Sequence, residues 1–285
     1  MGLRIQNNVE AFNTHRQLTA TSSLASKAME KLSSGYRINR AADDAAGLAI
    51  SEKMRGQIGG LAQAQRNAQD GISLVQTAEG ALTEVHSMLQ RVRDLTVQYK
   101  NGTLNDDDKL AISAEVVALS KEIRDIGDKT QFNGKDLFTG DTFELQVGAN
   151  GGETITTTGA DLNGSATVGV VLGVAYSDID AGTEKDAAAI KTAMDALSMS
   201  AVDDAIKAVS TMRSDFGAVQ NRLEHRLNNL ATYQENLTAS ESRIRDVDMA
   251  AEMTKFTKLN ILQQAGTSML AQANQAPQGV LSLLR

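Results

Sequence analysis

The sequence predicts a mainly α protein: a long helical bundle or coiled-coil core built from both chain ends, with a β-hairpin and a short irregular β-rich segment in the middle. Three observations carry that prediction. Pro277 is the single proline in 285 residues, so helices can be broken almost nowhere except at the 23 glycines. Apolar residues recur at alternating steps of three and four over two long stretches, the spacing of one helix face. The clearest two-residue alternation lies between those stretches and is short.

In chain order, the N-terminal arm offers Ile5, Val9 and Phe12, then Leu18, Leu24 and Leu32. From Ile58, the run Leu61, Gln65, Ala68, Ile72, Val75, Glu79, Leu82, His86, Leu89 keeps heptad spacing, and Val85, Val92 and Leu95 widen the stripe. At 1.5 Å per residue the helix from Ile58 to Leu95 is about 55 Å long. Asn101-Gly102 breaks it. Asp106, Asp107 and Asp108 then favour the positive end of a second helix, whose face is Ile112, Val116, Leu119, Ile123 and Ile126; the two should pack as a helical hairpin. Phe143 to Val147 alternates apolar and polar, turns through Gly148 to Gly152 and resumes at Thr154 to Thr158, which predicts the β-hairpin.

The Gly-, Ala-, Val- and Thr-rich sequence up to Tyr176 predicts irregular or short extended structure, with helix resuming near Thr183 to Asp186. A third long helix follows from Ile206, Val209, Arg213, Phe216, Gln220, Leu223, Leu227, Leu230, Gln234 and Leu237, with Ser200 and Asp203 as a candidate capping box. The chain ends on the stripe Phe256, Leu259, Leu262, Gly266, Met269, Ala273, and neither terminal arm can bury its stripe alone. Polar residues at heptad positions (Gln65, Glu79, His86, Arg213, Gln220, Gln234) suit a bundle better than a dimeric zipper. The ten methionines, at helical positions, read as core filler rather than a binding surface.

Composition narrows the function. With 41% hydrophobic residues the chain can build real cores, and 28 Lys+Arg against 35 Asp+Glu makes it acidic, at a net charge of −7. Residues 1–40 hold six Lys/Arg against two Asp/Glu, residues 101–204 seven against nineteen, and residues 241–285 five against four. The basic arm lacks the Arg/Lys runs and stacking aromatics that bind nucleic acid, so no nucleic-acid partner is expected. The longest strongly apolar stretch, Val168 to Ala175, is far short of the roughly 20 residues that span a bilayer, and no membrane insertion is expected. Met1 to Gln6 has no secretory apolar core, and Gln6 stands where a myristoylation motif wants Ser or Thr.

Chemistry is equally scarce. The chain has no cysteine, which removes disulfides, thiol nucleophiles and thiolate metal sites. His15, His86 and His225 lack paired-ligand spacing, and Asp106–Asp108 lacks the central Gly and distal Glu of a calcium loop. Asp246, Asp248 and Glu252 have Arg243 and Arg245 close enough to neutralise them, which predicts surface pairing rather than acid–base work. No catalytic, cofactor-binding or metal residue is predicted, and the protein is not expected to be an enzyme. A coiled-coil signalling module, a binding adaptor and an assembly subunit stay open at this point.

Three groups of residues narrow the choice. Leu32-Ser33-Ser34-Gly35-Tyr36-Arg37-Ile38-Asn39-Arg40-Ala41-Ala42-Asp43-Asp44, continuing to Ile50, resembles the N-terminal signature of bacterial flagellins. Thr130-Gln131-Phe132-Asn133-Gly134, Gln146 to Asn150 and Gly217 to His225 are similarly close. Ser240 to Ala250 and Met269 to Gln278 resemble the flagellin tail.

The resemblance covers residues 1–147 and 200–285 and implies a structural subunit that polymerises head to tail into the flagellar filament, secreted and extracellular. The alternative is a hook-filament junction protein or a coiled-coil signalling or adaptor module. It implies an inner core from residues 1–44 and 241–285, an outer core from 45–147 and 187–240, and a short variable segment, 148–186, where many relatives carry large outer domains. Implied partners are the chain itself as an open helical homopolymer, a flagellar export chaperone with the type III export apparatus, filament cap and hook-junction proteins, and the vertebrate innate immune receptor for flagellin. Candidate assembly residues are Val9, Phe12, Leu24, Leu32, Phe256, Leu259, Leu262, Met269 and Leu270. Candidate receptor residues are Leu89, Gln90, Arg91, Leu95 and Glu115, with Arg91 as a bidentate donor and Leu95 as an apolar anchor.

Overall fold

The computed structural model describes residues 7–162 and 194–283. Among them the chain runs α1 (Val9–Ser34), α2 (Ala45–Tyr99), α3 (Asp106–Lys129), β1 (Gln131–Phe132), β2 (Lys135–Asp136), β3 (Thr142–Gln146), β4 (Thr154–Thr158), α4 (Met199–Arg245) and α5 (Met249–Leu283). The protein is mainly α with small antiparallel hairpins in the middle, as its sequence predicts. Expectations for the segment beyond Leu162, up to the helix restart near Thr183, fall outside the described residues.

Two compact units divide the chain: Met1–Ile58 with Glu235–Arg285, and Gly59–Gln234. In the second unit the heptad positions do what their spacing demands. Leu82, Val85, Leu89, Val92 and Leu95 of α2 are buried with Ile112, Val116 and Ile123 of α3 and with Val202, Ala205, Val209 and Phe216 of α4. The polar heptad residues Glu79 and Arg213 meet across α2 and α4 at 3.7 Å. Leu137 and Phe138 enter the same core from the loop after β2.

The predicted hairpin forms with Leu145 opposite Ile155, and its end packs Val147 and Ile155 against Ala68 and Leu223. The Asn67 side-chain amide donates to the Gln146 carbonyl at 3.0 Å, and Arg226 Nε donates to the Val147 carbonyl at 3.0 Å, pinning that end to two helices. The smaller β1–β2 hairpin was not among the predicted elements. Its turn has positive φ at Asn133 (52°) and Gly134 (76°), which is what an Asn-Gly pair supplies in a two-residue hairpin.

Helix ends needed more than periodicity. Helix α2 begins at Ala45, well before the predicted Ile58, because Asp44 Oδ1 accepts the Gly47 N–H at 2.9 Å and caps it. Asn105 and Asp108 form a capping box on α3. The candidate box at Ser200 and Asp203 does not form. Ser198 Oγ instead accepts the Ala201 N–H at 3.1 Å, and Asp203 reaches across to Arg93 Nε at 2.6 Å.

In the first unit α1 and α5 lie antiparallel. Asn8 Nδ2 donates to the Ala273 carbonyl at 2.7 Å, Leu18 faces Gly266, and Ala25 and Ala28 meet Phe256 and Leu259. A Cβ on Gly266 would stand 3.3 Å from Leu18 Cδ1, so the glycine lets the helices approach. Each terminal stripe thus has a partner within the chain, namely the other.

Candidate functional site

The seam between α1 and α5 is filled mostly by small side chains, and this decides what the rest of each helix shows. Ala25, Ala28, Leu259 and Ala273 are buried, whereas Phe12 is 71% exposed, Ile261 61% and Met269 59%. Val9, Leu24, Met29, Met253 and Leu262 are exposed as well. Large apolar side chains exposed along both paired helices make this pair the candidate interaction surface.

The predicted assembly residues therefore divide. Val9, Phe12, Leu24, Leu262 and Met269 face outward; Leu32, Phe256 and Leu270 are half-buried; Leu259 is sealed in the seam. The predicted C-terminal stripe mixes two faces, because Leu259, Gly266 and Ala273 turn toward α1 while Leu262 and Met269 turn away. Sequence reading missed Met29, Met253 and Ile261, although the adjacent Ile261-Leu262 pair already signals an apolar arc wider than one partner helix can cover.

The methionines correct another expectation. Met194 is buried and Met88 and Met212 pack against the core, but Met29, Met199, Met249, Met253 and Met269 are exposed. Helical spacing says that a residue belongs to a stripe and not which stripe meets solvent.

Two backbone crossings tie this unit together beside the terminal pair. Gly35 ends α1 at φ 74°, and the stretch after it pairs with the α4–α5 junction: Arg37 N–H donates to the Arg245 carbonyl at 2.6 Å and Val247 N–H to the Gly35 carbonyl at 3.0 Å. The Arg245 guanidinium lies 4.8 Å from the centre of the Tyr36 ring and pairs with Glu52 at 2.6 Å. That hydrogen bond holds the Glu52 carboxyl below its ordinary range, with Arg55 adding to the effect.

The expected neutralisation of Asp246, Asp248 and Glu252 by Arg243 and Arg245 does not occur. Asp248 caps α5 through the Ala250 and Ala251 N–H groups, Asp246 accepts from Ser242, and Glu252 pairs with Lys255. Arg245 is drawn away to Glu52, and Arg243 bonds to Ser240.

The candidate receptor residues are also brought only partly together. Arg91 and Glu115 form an exposed ion pair at 2.7 Å between α2 and α3, and Gln90 stands 3.0 Å from His86 Nε2. Leu89 and Leu95, at 0% and 2% exposure, belong to the core, so Leu95 offers no anchor on this surface. Both occupy the stripe that meets α3 and α4.

The chain is similar to known proteins over nearly its whole length. Residues 5–142 match the family model for the bacterial flagellin N-terminal helical region, and residues 199–284 that for the C-terminal helical region. The chain is 55% identical over 283 residues to a flagellin of Halalkalibacterium halodurans, covering 99% of each. It is 52% identical over 306 residues to a flagellin of Bacillus subtilis, covering 99% of this chain and 100% of that one. The structure of a putative flagellar hook-associated protein from Vibrio parahaemolyticus, 16% identical, matches with a TM-score of 0.56 over 72% of this chain and 100% of the other, a likeness of fold.

Proposed function

The chain belongs to the bacterial flagellin family and is a structural subunit of the flagellar filament, and on that premise we propose that the outward faces of α1 and α5 are the surfaces by which subunits join. The filament is extracellular, and no helix among the described residues is long and apolar enough to cross a membrane. The observation that carries the proposal is the outward placement of Val9, Phe12, Leu24, Ile261, Leu262 and Met269 on a pair whose own seam is mostly small. Covering one such side chain contributes about 1.5–3 kcal/mol. Faces that are not self-complementary join copies head to tail, and a rotation that does not close gives the open helical filament of this reading rather than a ring.

In this reading residues 1–44 and 241–285 form the inner core, 45–147 and 187–240 the outer core, and 148–186 the short variable segment. The α5 face needs cover before assembly, which is the role of an export chaperone delivering the chain to the type III apparatus. Filament cap and hook-junction proteins meet the same terminal faces at the two ends. The immune receptor for flagellin reads the exposed polar patch of Gln90, Arg91 and Glu115.

Seeded growth tests the central claim. Phe12→Ser with Ile261→Ser should leave the helical content of the monomer unchanged and raise the critical concentration by about tenfold or more. Growth of that variant at the parent's critical concentration would refute the assignment. Amides of α1 and α5 should exchange more slowly in filaments than in monomers, and equal rates would count against it.

A further inference from the structure

We propose that Met29, Met249, Met253 and Met269 form a modification site for peroxide-class oxidants, and that their conversion to sulfoxides blocks the joining of subunits. The proposal rests on the reading of α1 and α5 as the joining surface. Its starting observation is where the sulfur lies. The chain has ten methionines and no cysteine, so thioethers are its only sulfur. Four of them sit exposed on the two terminal helices, while Met88, Met194 and Met212 are packed into or against the other unit's core.

The seam sets their positions. Leu18 against Gly266, and Ala28 against Phe256, put α1 and α5 in antiparallel register. Met29 then stands level with the α5 turn that carries Met253, and Met269 stands near the level of the α1 turn that carries Phe12. Met29, Met249 and Met253 thus gather where α1 ends and α5 begins, and Met269 lies about 24 Å further along the same pair at 1.5 Å per residue.

The chemistry is self-contained. A thioether lone pair attacks one oxygen of hydrogen peroxide, an S–O bond forms as the O–O bond breaks, and the other oxygen leaves as water after proton transfer. Sulfur is oxidised by two electrons and peroxide is reduced. The product replaces a soft apolar group with a polar S–O acceptor, which is costly to bury without a donor opposite it. A free subunit exposes these groups to oxidant, and an assembled one covers them. Oxidation therefore removes unassembled subunits from growth and leaves finished filament intact, and a methionine sulfoxide reductase reverses it.

The full-length chain tests this directly. Monomer treated with hydrogen peroxide should gain one oxygen at each of the four sites by mass spectrometry and show a critical concentration raised about tenfold or more in seeded growth. Reductase treatment should restore growth. The variant M29L/M249L/M253L/M269L keeps apolar bulk without an oxidisable atom and should grow equally well before and after peroxide. Filaments should oxidise at all four methionines far more slowly than monomers.

Unchanged growth of oxidised parent, equal loss in the leucine variant, no recovery after reduction, or equal oxidation rates in filament and monomer would each overturn the proposal. The joining-surface reading fails separately, if unoxidised Phe12→Ser/Ile261→Ser chains grow like the parent.

Discussion

In the unit Gly59–Gln234 the large apolar side chains Leu82, Leu89, Leu95, Phe138 and Leu223 are sealed by helices and strands of the same chain, whereas the paired termini bury Ala25, Ala28, Leu259 and Ala273 and leave Phe12, Ile261 and Met269 outside. The periodicities are of one kind, since both regions carry helical apolar stripes. What differs is side-chain size at the buried positions. Large residues fill the space among three helices and a hairpin, so that unit completes its core in cis. Small residues allow two helices to approach closely but remove little apolar area from water, so the terminal pair leaves large apolar side chains uncovered.

Core truncation should break the symmetry between the regions most visibly. Leu82→Ala or Leu223→Ala, at positions with no exposure, should destabilise the unit by about 2–5 kcal/mol in urea unfolding. Leu259→Ala lies in a two-helix seam that can close up around the loss, and the expected cost is at the low end of that range, about 2 kcal/mol. Equal losses at the two positions would show that the terminal pair has a core of its own after all.

Next in size are caps, which act on the helix and not on the surface it presents. Asn105→Ala removes one side of the α3 capping box and should cost about 1 kcal/mol with no effect on seeded growth. Asn8→Ala removes both the α1 cap and the bond to the Ala273 carbonyl, so it should impair growth as well. A cap mutation on α3 that stopped growth would blur the division of labour.

Tyr99 in the second unit and Glu52 in the first should act at opposite ends of the pH scale. Tyr99 is buried and donates to Asp195 at 3.1 Å, and burial first, then that carboxylate, pushes its hydroxyl up to about 12. A folded value above the ordinary one, near 10, means that the stabilisation is complete below about pH 10. It is lost as pH rises through about 12. Tyr99→Phe should flatten that alkaline loss in a denaturation series.

Glu52 behaves in the opposite sense. Its carboxyl is held low by Arg245, so its contribution is present above the ordinary glutamate pKa and disappears as pH falls through the lower folded value. Glu52→Gln should weaken the acid dependence of exchange at the α4–α5 junction and leave the Tyr99 region untouched. Smallest of all, Arg91→Ala breaks an exposed ion pair and should change stability by about 0.5 kcal/mol or less, while a loss of receptor signalling would be the larger effect.

Much of this architecture was legible in the residues. The stripes of α2, α3 and α4 could be read because their apolar positions recur at three and four with large side chains, and the β3–β4 hairpin because Phe143 to Val147 and Thr154 to Thr158 alternate around a glycine turn. Asn133-Gly134 carried the β1–β2 turn equally plainly, but strands of two residues have no period to count. Caps were ambiguous for a different reason. Serines at 198 and 200 are equivalent as residue types, and only the path of the chain entering α4 selects Ser198.

The sequence alone thus determined the helical class, the hairpin between two helical halves and the apolar stripes at both ends, because these follow from local period, turn chemistry and the near absence of proline. The tertiary structure decided which side of each stripe is inside. It turned Leu259 and Ala273 toward α1 and Leu262 and Met269 away, sank Leu89 and Leu95 into the core beside an exposed Arg91, and sent Arg245 to Glu52 instead of its neighbouring aspartates. A helix repeats its side chains about its axis without marking an inward direction, and that direction exists only once a second helix has packed against it.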